Sequence, residues 1–349
     1  MPSQDSLDAT EASGPGGRAY DVLAVGRSSI DLYANEVGAP FTEIKSFAAY
    51  VGGSPTNISV AARRLGLRTA LLNAVGEDLV GDFVTSFLDR EGVETRFGVR
   101  KPGRRTSAFL LGIEPPDRFP IVPYRDNCAD LELNIDDVLA APVAESRALL
   151  LTGTGLSRQP SRDATLFAAA RAHSCGTKVI LDLDFRPELW PDVRAYGVAF
   201  RSIIPLVDVV IGTTQEVRSA ILAARVNPAE IHVTDGNTGG PAVDAIEAAL
   251  SSGPSALIIK RGADSTFAYA RGGQVVEVPT FKVDVLNVLG AGDAFAAGFI
   301  YGHLKGWDLY RSTRMGNACG AIVVTRHGCA NFMPYEEEAL AFVEERGGF

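Results

Sequence analysis

Short apolar runs alternate with amphipathic stretches along most of the chain. Residues 21–26 are a continuous apolar run closed by Gly, the pattern of a buried strand. A helix is expected over 56–65, ended by Gly66, then a strand over 68–75 and a helix over 82–91 stopped at Gly92. The unit recurs. Strand 148–152 precedes a helix near 162–174, strand 178–183 a helix near 193–204, and strand 208–211 a helix near 215–225. A helix near 241–251 then leads to strand 256–259. Strands alternating with helices predict an α/β fold whose mostly parallel sheet is covered on both faces. Ligands in such sheets bind beyond the carboxyl ends of the strands.

The pattern breaks over 32–51, where alternating and aromatic residues make poor helix candidates. With 106–114 and 119–124, this segment could form a small sheet outside the main fold. Residues 1–19, rich in Gly, Ser, Asp and Pro, read as a disordered tail, which leaves 20–349 as one domain. No internal repeat is found.

Charge and cysteine usage narrow the function. Of 349 residues 46% are apolar, enough for a sizeable core, and the net charge of −9 gives no nucleic-acid footprint. A phosphate ligand would have to be bound by local donors against that field. Cys128, Cys175, Cys319 and Cys329 fit no zinc or Cys-x-x-Cys spacing, and the four histidines are scattered. No apolar run reaches the length of a membrane span, so no membrane partner is expected and a reducing cytoplasm is the default location.

Chemistry concentrates at Gly290-Ala291-Gly292-Asp293, followed by a helical stretch. The loop has no bulky side chain, and the first amides of the helix point at whatever it holds, so phosphoryl charge would be stabilised there. Asp293 supplies a carboxylate suited to deprotonating an alcohol. The plainer alternative is a helix capped by Gly and Asp. Gly153-Thr154-Gly155 lacks the third Gly of a dinucleotide fingerprint, and no Gly-x-x-x-x-Gly-Lys-Ser/Thr occurs.

A second motif, Gly52-Gly53-Ser54-Pro55-Thr56-Asn57, stands upstream. The glycine pair early and Gly-Ala-Gly-Asp late resemble the two signatures of the ribokinase-like (PfkB-type) sugar kinases, over about residues 21–334. The resemblance implies a three-layer α/β/α sandwich with a mostly parallel central sheet. It also implies a small β-sheet lid, from about 32–51 and 105–125, that covers the sugar and often joins two subunits into a homodimer. ATP would be the phosphoryl donor with Mg²⁺ as cofactor. Asp293 would be the base, with the amides of Gly290, Ala291 and Gly292 holding the developing charge.

Other positions take roles from the same resemblance. Asp31, Gly52, Gly53 and Asn57 fall where the family contacts the sugar. Lys260 and Gly262 lie in the segment passing under the nucleotide. Asn317, in a small-residue stretch from Met315 that begins a late helix, lies near the adenine; close helix packing explains that stretch equally well. Glu216, in Thr213-Thr-Gln-Glu, matches an Asn-x-x-Glu that orients Mg²⁺, or is an ordinary first-turn acid. Asn287-Val-Leu289 replaces the Asp-Thr-Thr of relatives with a monovalent-cation site, which leaves that cation open.

The segment Asp182-Leu-Asp184-Phe-Arg186 and the stretches 26–33, 112–119, 124–130 and 326–334 are similar to the family's sugar-acid kinases, with Asp184 where Asn is common. A sugar acid would need a cation, and Arg186 and Arg125 are the candidates. A 2-dehydro-3-deoxygluconate or fructose kinase of the same family and a non-catalytic sugar sensor stay open as alternatives.

Overall fold

The computed structural model describes residues 17–115, 118–222 and 243–349. The expected tail up to residue 16, and residues 223–225 and 241–242 of two expected helices, lie outside the described residues.

β1 (Tyr20–Val25) is buried along all but its first residue. The chain then builds two strands of a second sheet, β2 (Ser29–Ala34) and β3 (Phe47–Gly52), and enters α1 (Ser54–Arg64). β4 (Thr69–Leu72) and β5 (Ala74–Gly76) take the place of one expected strand, which breaks at Asn73, where the side chain donates to Ser28 Oγ. α2 (Leu79–Arg90) starts on the Asp78 side chain, which accepts from the Gly81 amide, and β6 (Val99–Lys101) pairs with β5. β7 (Ser107–Leu111) and β8 (Ile121–Tyr124) complete the second sheet. The expected alternation follows: α3 (Ile135–Ala140), β9 (Ser146–Thr152), α4 (Ser161–Ser174), β10 (Lys178–Asp182), α5 (Val193–Ile203), β11 (Val209–Thr213) and α6 (Thr214–Leu222). Then come α7 (Val243–Ser252), β12 (Ala256–Lys260), β13 (Thr266–Ala270), β14 (Val275–Val278), α8 (Ala291–Leu304), α9 (Leu309–Val323) and α10 (Glu336–Glu344).

The main sheet has the order β14-β13-β12-β11-β10-β9-β1-β4, parallel from β4 to β12. β13 and β14 add an antiparallel edge that the sequence pattern did not announce. Adjacent residues of one strand face different layers, as period-two geometry requires. Val22 and Ala24 join the core under α1, α8 and α9, whereas Leu23 and Val25 join the one under α4, α5 and α7. The result is three layers, α/β/α. Among the described residues no helix is long and apolar enough to cross a membrane.

Two boundaries matter for the site. α1 starts at Ser54, two residues before the expected start, because Gly53 turns the chain at φ +104° and Pro55 is tolerated in a first turn. Ser54 and Asn57 therefore share the first turn of the helix. Met315 does not begin a helix: α9 starts at Leu309 on the Asp308 cap, so Asn317 is mid-helix. The small residues there serve packing. A Cβ on Gly316 would lie 2.9 Å from the Phe295 ring of α8, and one on Gly298 would lie 2.7 Å from the Met315 carbonyl.

The second sheet, order β3-β2-β7-β8, starts earlier than the expected residue 32 and takes Asp31 into β2. Tyr33, Phe109 and Leu111 point inward and cluster with Leu189, Leu289 and Cys329. The sheet is thereby seated on the loop that leads to Gly290.

Candidate active site

Two helix starts meet at Asp293. Gly290 caps α8 at φ +84°, and a Cβ there would lie 2.9 Å from Cys329 Sγ, so the loop closes only around glycine. The Ala291 amide is engaged by the Val288 carbonyl at 3.3 Å. Those of Gly292 and Asp293 lie in the first turn, which has no helical carbonyl behind it. A Cβ on Gly292 would come 3.1 Å from Lys260 Nζ, which puts the ammonium against the glycine loop. Lys260 Nζ also pairs with Asp182 at 3.3 Å. Amides, helix dipole and ammonium make one local anion site in an acidic protein.

From α1, Ser54 Oγ donates to Asp293 Oδ1 (2.6 Å) and Asn57 Nδ2 to Oδ2 (2.7 Å). Burial is the main reason the Asp293 carboxyl is pushed up to about 6, helped by the Asp184 charge; the bonds from Ser54 and Asn57 and the Arg186 charge pull the other way. A carboxylate whose pKa lies near neutral pH is matched to general-base work. Asn57 thus reaches Asp293, while its Oδ1 stays buried without a partner. Ser54 was missed at the sequence level, although it belongs to the quoted glycine motif.

Acids crowd the neighbouring strand ends. Asp182 is pushed up to about 7, chiefly by burial, with Lys260 opposing and the Glu216, Asp184 and Asp293 charges adding. Asp184 sits at φ +30°, a conformation few non-glycine residues adopt. Its carboxylate accepts from Arg186 Nε (3.0 Å) and Thr154 Oγ1 (3.3 Å). Glu216 accepts from the Thr213 amide (2.7 Å) and the Phe185 amide (2.9 Å), and the Glu216 amide donates to Thr213 Oγ1 (3.2 Å). That is a reciprocal helix cap, the first-turn alternative, although each oxygen keeps a lone pair for water. Among the described residues no group of three or more His, Cys, Asp or Glu is placed to hold a metal.

The sugar-contact candidates gather at the end of β1. Ser29 Oγ donates to Asp31 Oδ1 at 2.7 Å. A Cβ on Gly52 would fall 1.9 Å from Asp31 Oδ2, and one on Gly53 would fall 2.3 Å from the Arg27 carbonyl. The glycine pair is therefore what lets the β3–α1 turn press on Asp31 and Arg27. Arg125 is buried, with Nε on Asp130 (2.7 Å), Nη1 on Ser157 Oγ (3.1 Å) and Nη2 on the Thr154 carbonyl (3.2 Å). Arg186 keeps 34% of its side chain exposed and pairs with Asp184 through Nε. Arg27, another buried cation here, was missed because nothing in the residues around it marks burial.

The remaining candidates lie farther along the strand ends. Gly262 turns after β12 at φ +60° with open space where a Cβ would sit. Asn317 accepts from Thr266 Oγ1 (2.7 Å) and donates to the Pro279 carbonyl (3.1 Å), tying α9 to the β13–β14 edge. Asn287 is fully buried; its carboxamide accepts from the Leu289 amide (3.0 Å) and donates to the His327 carbonyl (3.2 Å).

The pfkB family carbohydrate kinase profile matches residues 19–336. The 5-dehydro-2-deoxygluconokinase of Shouchella clausii (strain KSM-K16) is 33% identical over 331 residues, 95% of this chain and 97% of that protein. The enzyme of the same name from Bacillus thuringiensis (strain Al Hakam) is 36% identical over 328 residues, 94% and 96% of the two chains. Among solved structures, the fructokinase with bound ATP from Xylella fastidiosa aligns with a TM-score of 0.80 at 25% identity, covering 93% of this chain and 98% of that one. These likenesses run through both glycine signatures and the strands that carry them, and on that ground the chain belongs to the pfkB family and is a carbohydrate kinase.

Proposed function

We propose that this kinase transfers the γ-phosphoryl group of ATP to the terminal hydroxyl of 5-dehydro-2-deoxygluconate, a step of myo-inositol breakdown. The observation that carries the reading is Asp293, held by two donors from α1 at the start of α8 with its pKa raised to about 6. Asp293 takes the hydroxyl proton as the phosphoryl group arrives. Ser54 and Asn57 fix the carboxylate's direction, and the free Oδ1 of Asn57 offers an acceptor to the substrate. The amides of Gly292 and Asp293 and the Lys260 ammonium stabilise charge on the transferring group.

Mg²⁺, when bound, supplies charge neutralisation on the phosphates. With no three-residue cage among the described residues, Glu216 would hold it through water, in keeping with an ion that retains several waters. We assign no required monovalent cation, because the Asn287 carboxamide already ties residues 287–289 to His327. A groove of about 610 Å³ along residues 282–286, with Thr325 and Arg346, is where the nucleotide's base would lie; Ala318 and Ala321 of α9 pack against neighbouring Phe281 and Val283.

At the sugar, Asp31 would accept two hydroxyls, and Arg186 would face the carboxylate with the guanidinium nitrogens that Asp184 leaves over. The second sheet acts as the lid, excluding water from the transfer. Its outer face carries half-buried Ile30, Leu32, Ala108, Leu110 and Val122, and a second copy of the chain covering it would give a homodimer. The four cysteines are unpaired, in keeping with the cytoplasm.

The test is ATP consumption with 5-dehydro-2-deoxygluconate, 2-dehydro-3-deoxygluconate, fructose and ribose, with Asp293→Asn as control. Turnover with 5-dehydro-2-deoxygluconate that the control abolishes supports the reading. No turnover with any sugar favours a non-catalytic sensor.

A further inference from the structure

A fold rarely keeps a buried guanidinium that meets no carboxylate, because the uncompensated charge is expensive. This one keeps Arg27. It follows β1 directly, in the turn to β2, with 9% of its surface exposed. Nη1 donates to Ser29 Oγ (2.9 Å), and the group lies over the Phe109 ring at 4.2 Å from its centroid. Nε is buried and has no partner. Asp31, Asp130 and Asp184 attract it from a distance, and Arg125 repels it.

Its neighbour Arg125 marks the contrast. That guanidinium has all three nitrogens engaged and an Asp130 carboxylate at 2.7 Å. A further anion would have to displace Asp130. Arg27 offers instead an unused N–H and a charge that no carboxylate among the described residues contacts directly.

Arg27 is also fixed in the right place. Its carbonyl accepts from Thr56 Oγ1 (3.1 Å) and occupies the space that a Cβ on Gly53 would need. Thr56 lies in the same first turn of α1 that holds Asp293 through Ser54 and Asn57. Ser29 Oγ bridges Arg27 to Asp31. The cation is thus braced to the sugar-contact carboxylate and to the turn that positions the base.

We propose that Arg27 is a specificity-determining residue that receives the carboxylate of the sugar acid together with Arg186, stacked on Phe109 and braced by Ser29. This rests on the sugar-acid reading given above. The rival account makes Arg27 a structural cation serving only the Phe109 stack and the lid.

The test compares kcat/KM for 5-dehydro-2-deoxygluconate and for fructose in wild type, Arg27→Gln and Arg27→Lys. Thermal shifts with each sugar in the absence of ATP accompany the kinetics. The proposal predicts that Arg27→Gln lowers the acid-to-fructose ratio on the order of 10- to 100-fold, mainly through KM, and removes the shift produced by the acid. Arg27→Lys, which keeps the charge but not the planar fork, should recover part of both. A ratio unchanged in Arg27→Gln, or an equal fall on both sugars, overturns it. Should Arg27→Gln not fold, an unchanged ratio in Arg27→Lys overturns it equally. A wild type that prefers fructose contradicts the sugar-acid reading itself, before any variant is compared.

Discussion

At the proposed phosphate end of the cleft, one contiguous run, Gly290 to Asp293, brings the amides, the helix terminus and the proposed base, with Lys260, Ser54 and Asn57 reaching in from elsewhere. At the proposed sugar end, the candidate contacts come from the turn after β1, from β2, the β3–α1 turn, β7 and the residues after β10. On this reading the first end would recognise its ligand largely through backbone, the second through side chains. The difference predicts how damage should spread. Loss at the phosphate end should slow every substrate alike, whereas loss at the sugar end should change which substrate is used.

The largest effect should come from Asp293→Asn. A positioned base contributes roughly 10²–10⁴-fold, so turnover should fall by that factor with acid and neutral sugars alike, about 3–5 kcal/mol of transition-state stabilisation. Nucleotide binding, measured by calorimetry, should persist. Undiminished turnover removes Asp293 from the mechanism.

The pH profile sharpens the same point. With Asp293 held at about 6, kcat/KM should decline as pH drops through that value. Ser54→Ala and Asn57→Ala each delete a bond that lowers this value, so the acid limb should move upward in both. Stability runs the other way. The carboxyl is raised above its ordinary 3.8, so the fold loses stability on its account as pH rises from about 4 to above about 6. Asp293→Asn should therefore have a higher Tm than wild type at pH 8 and lose that advantage near pH 4. A limb that stays put in both α1 variants contradicts the assigned bonds.

Gly52→Ala tests the sugar end. The added methyl would sit 1.9 Å from Asp31 Oδ2, an overpacking expected to cost about 1–3 kcal/mol and to raise KM for sugar more than for ATP. Asp31→Ala in the same chain removes the clash, so the double variant should regain Tm but not sugar affinity. If the double variant is no more stable than Gly52→Ala, the contact is misassigned.

Glu216→Gln should act more mildly. Gln retains one acceptor oxygen where Glu216 uses two, so about 1 kcal/mol of stability should be lost. The Mg²⁺ concentration for half-maximal rate should rise as well. An unchanged Mg²⁺ titration would leave Glu216 with its capping role alone. The smallest catalytic effect should follow Leu110→Lys on the outer face of the lid sheet, which should convert a dimer to a monomer by light scattering while disturbing turnover least. A wild type that is already monomeric ends the homodimer proposal.

The contrast also explains what the sequence disclosed. Continuous apolar runs located the parallel strands and helical spacing most of the helices, because burial on both faces leaves apolar runs that are hard to mistake. The contiguous loop ending at Asp293 was legible for the same reason: its spacing is its geometry. β13 and β14 escaped notice, since a half-exposed edge hairpin leaves no unbroken apolar run. α9 was entered too late because Gly316 and the small residues after it read as a helix start until Phe295 is seen to need the room mid-helix. At the proposed sugar end, neither the free Nε of Arg27 nor the saturated state of Arg125 could be read from neighbours in sequence, because Phe109, Thr154 and Ser157 come from separate segments.

The most direct test of the central claim is the ratio of kcat/KM for 5-dehydro-2-deoxygluconate to that for fructose in the wild-type enzyme, read as ATP consumption. The account predicts a ratio well above one, on the order of 10-fold or more for a charged contact that a neutral sugar cannot make. A ratio at or below one, with fructose turned over efficiently, would contradict it and make the chain a general hexose kinase.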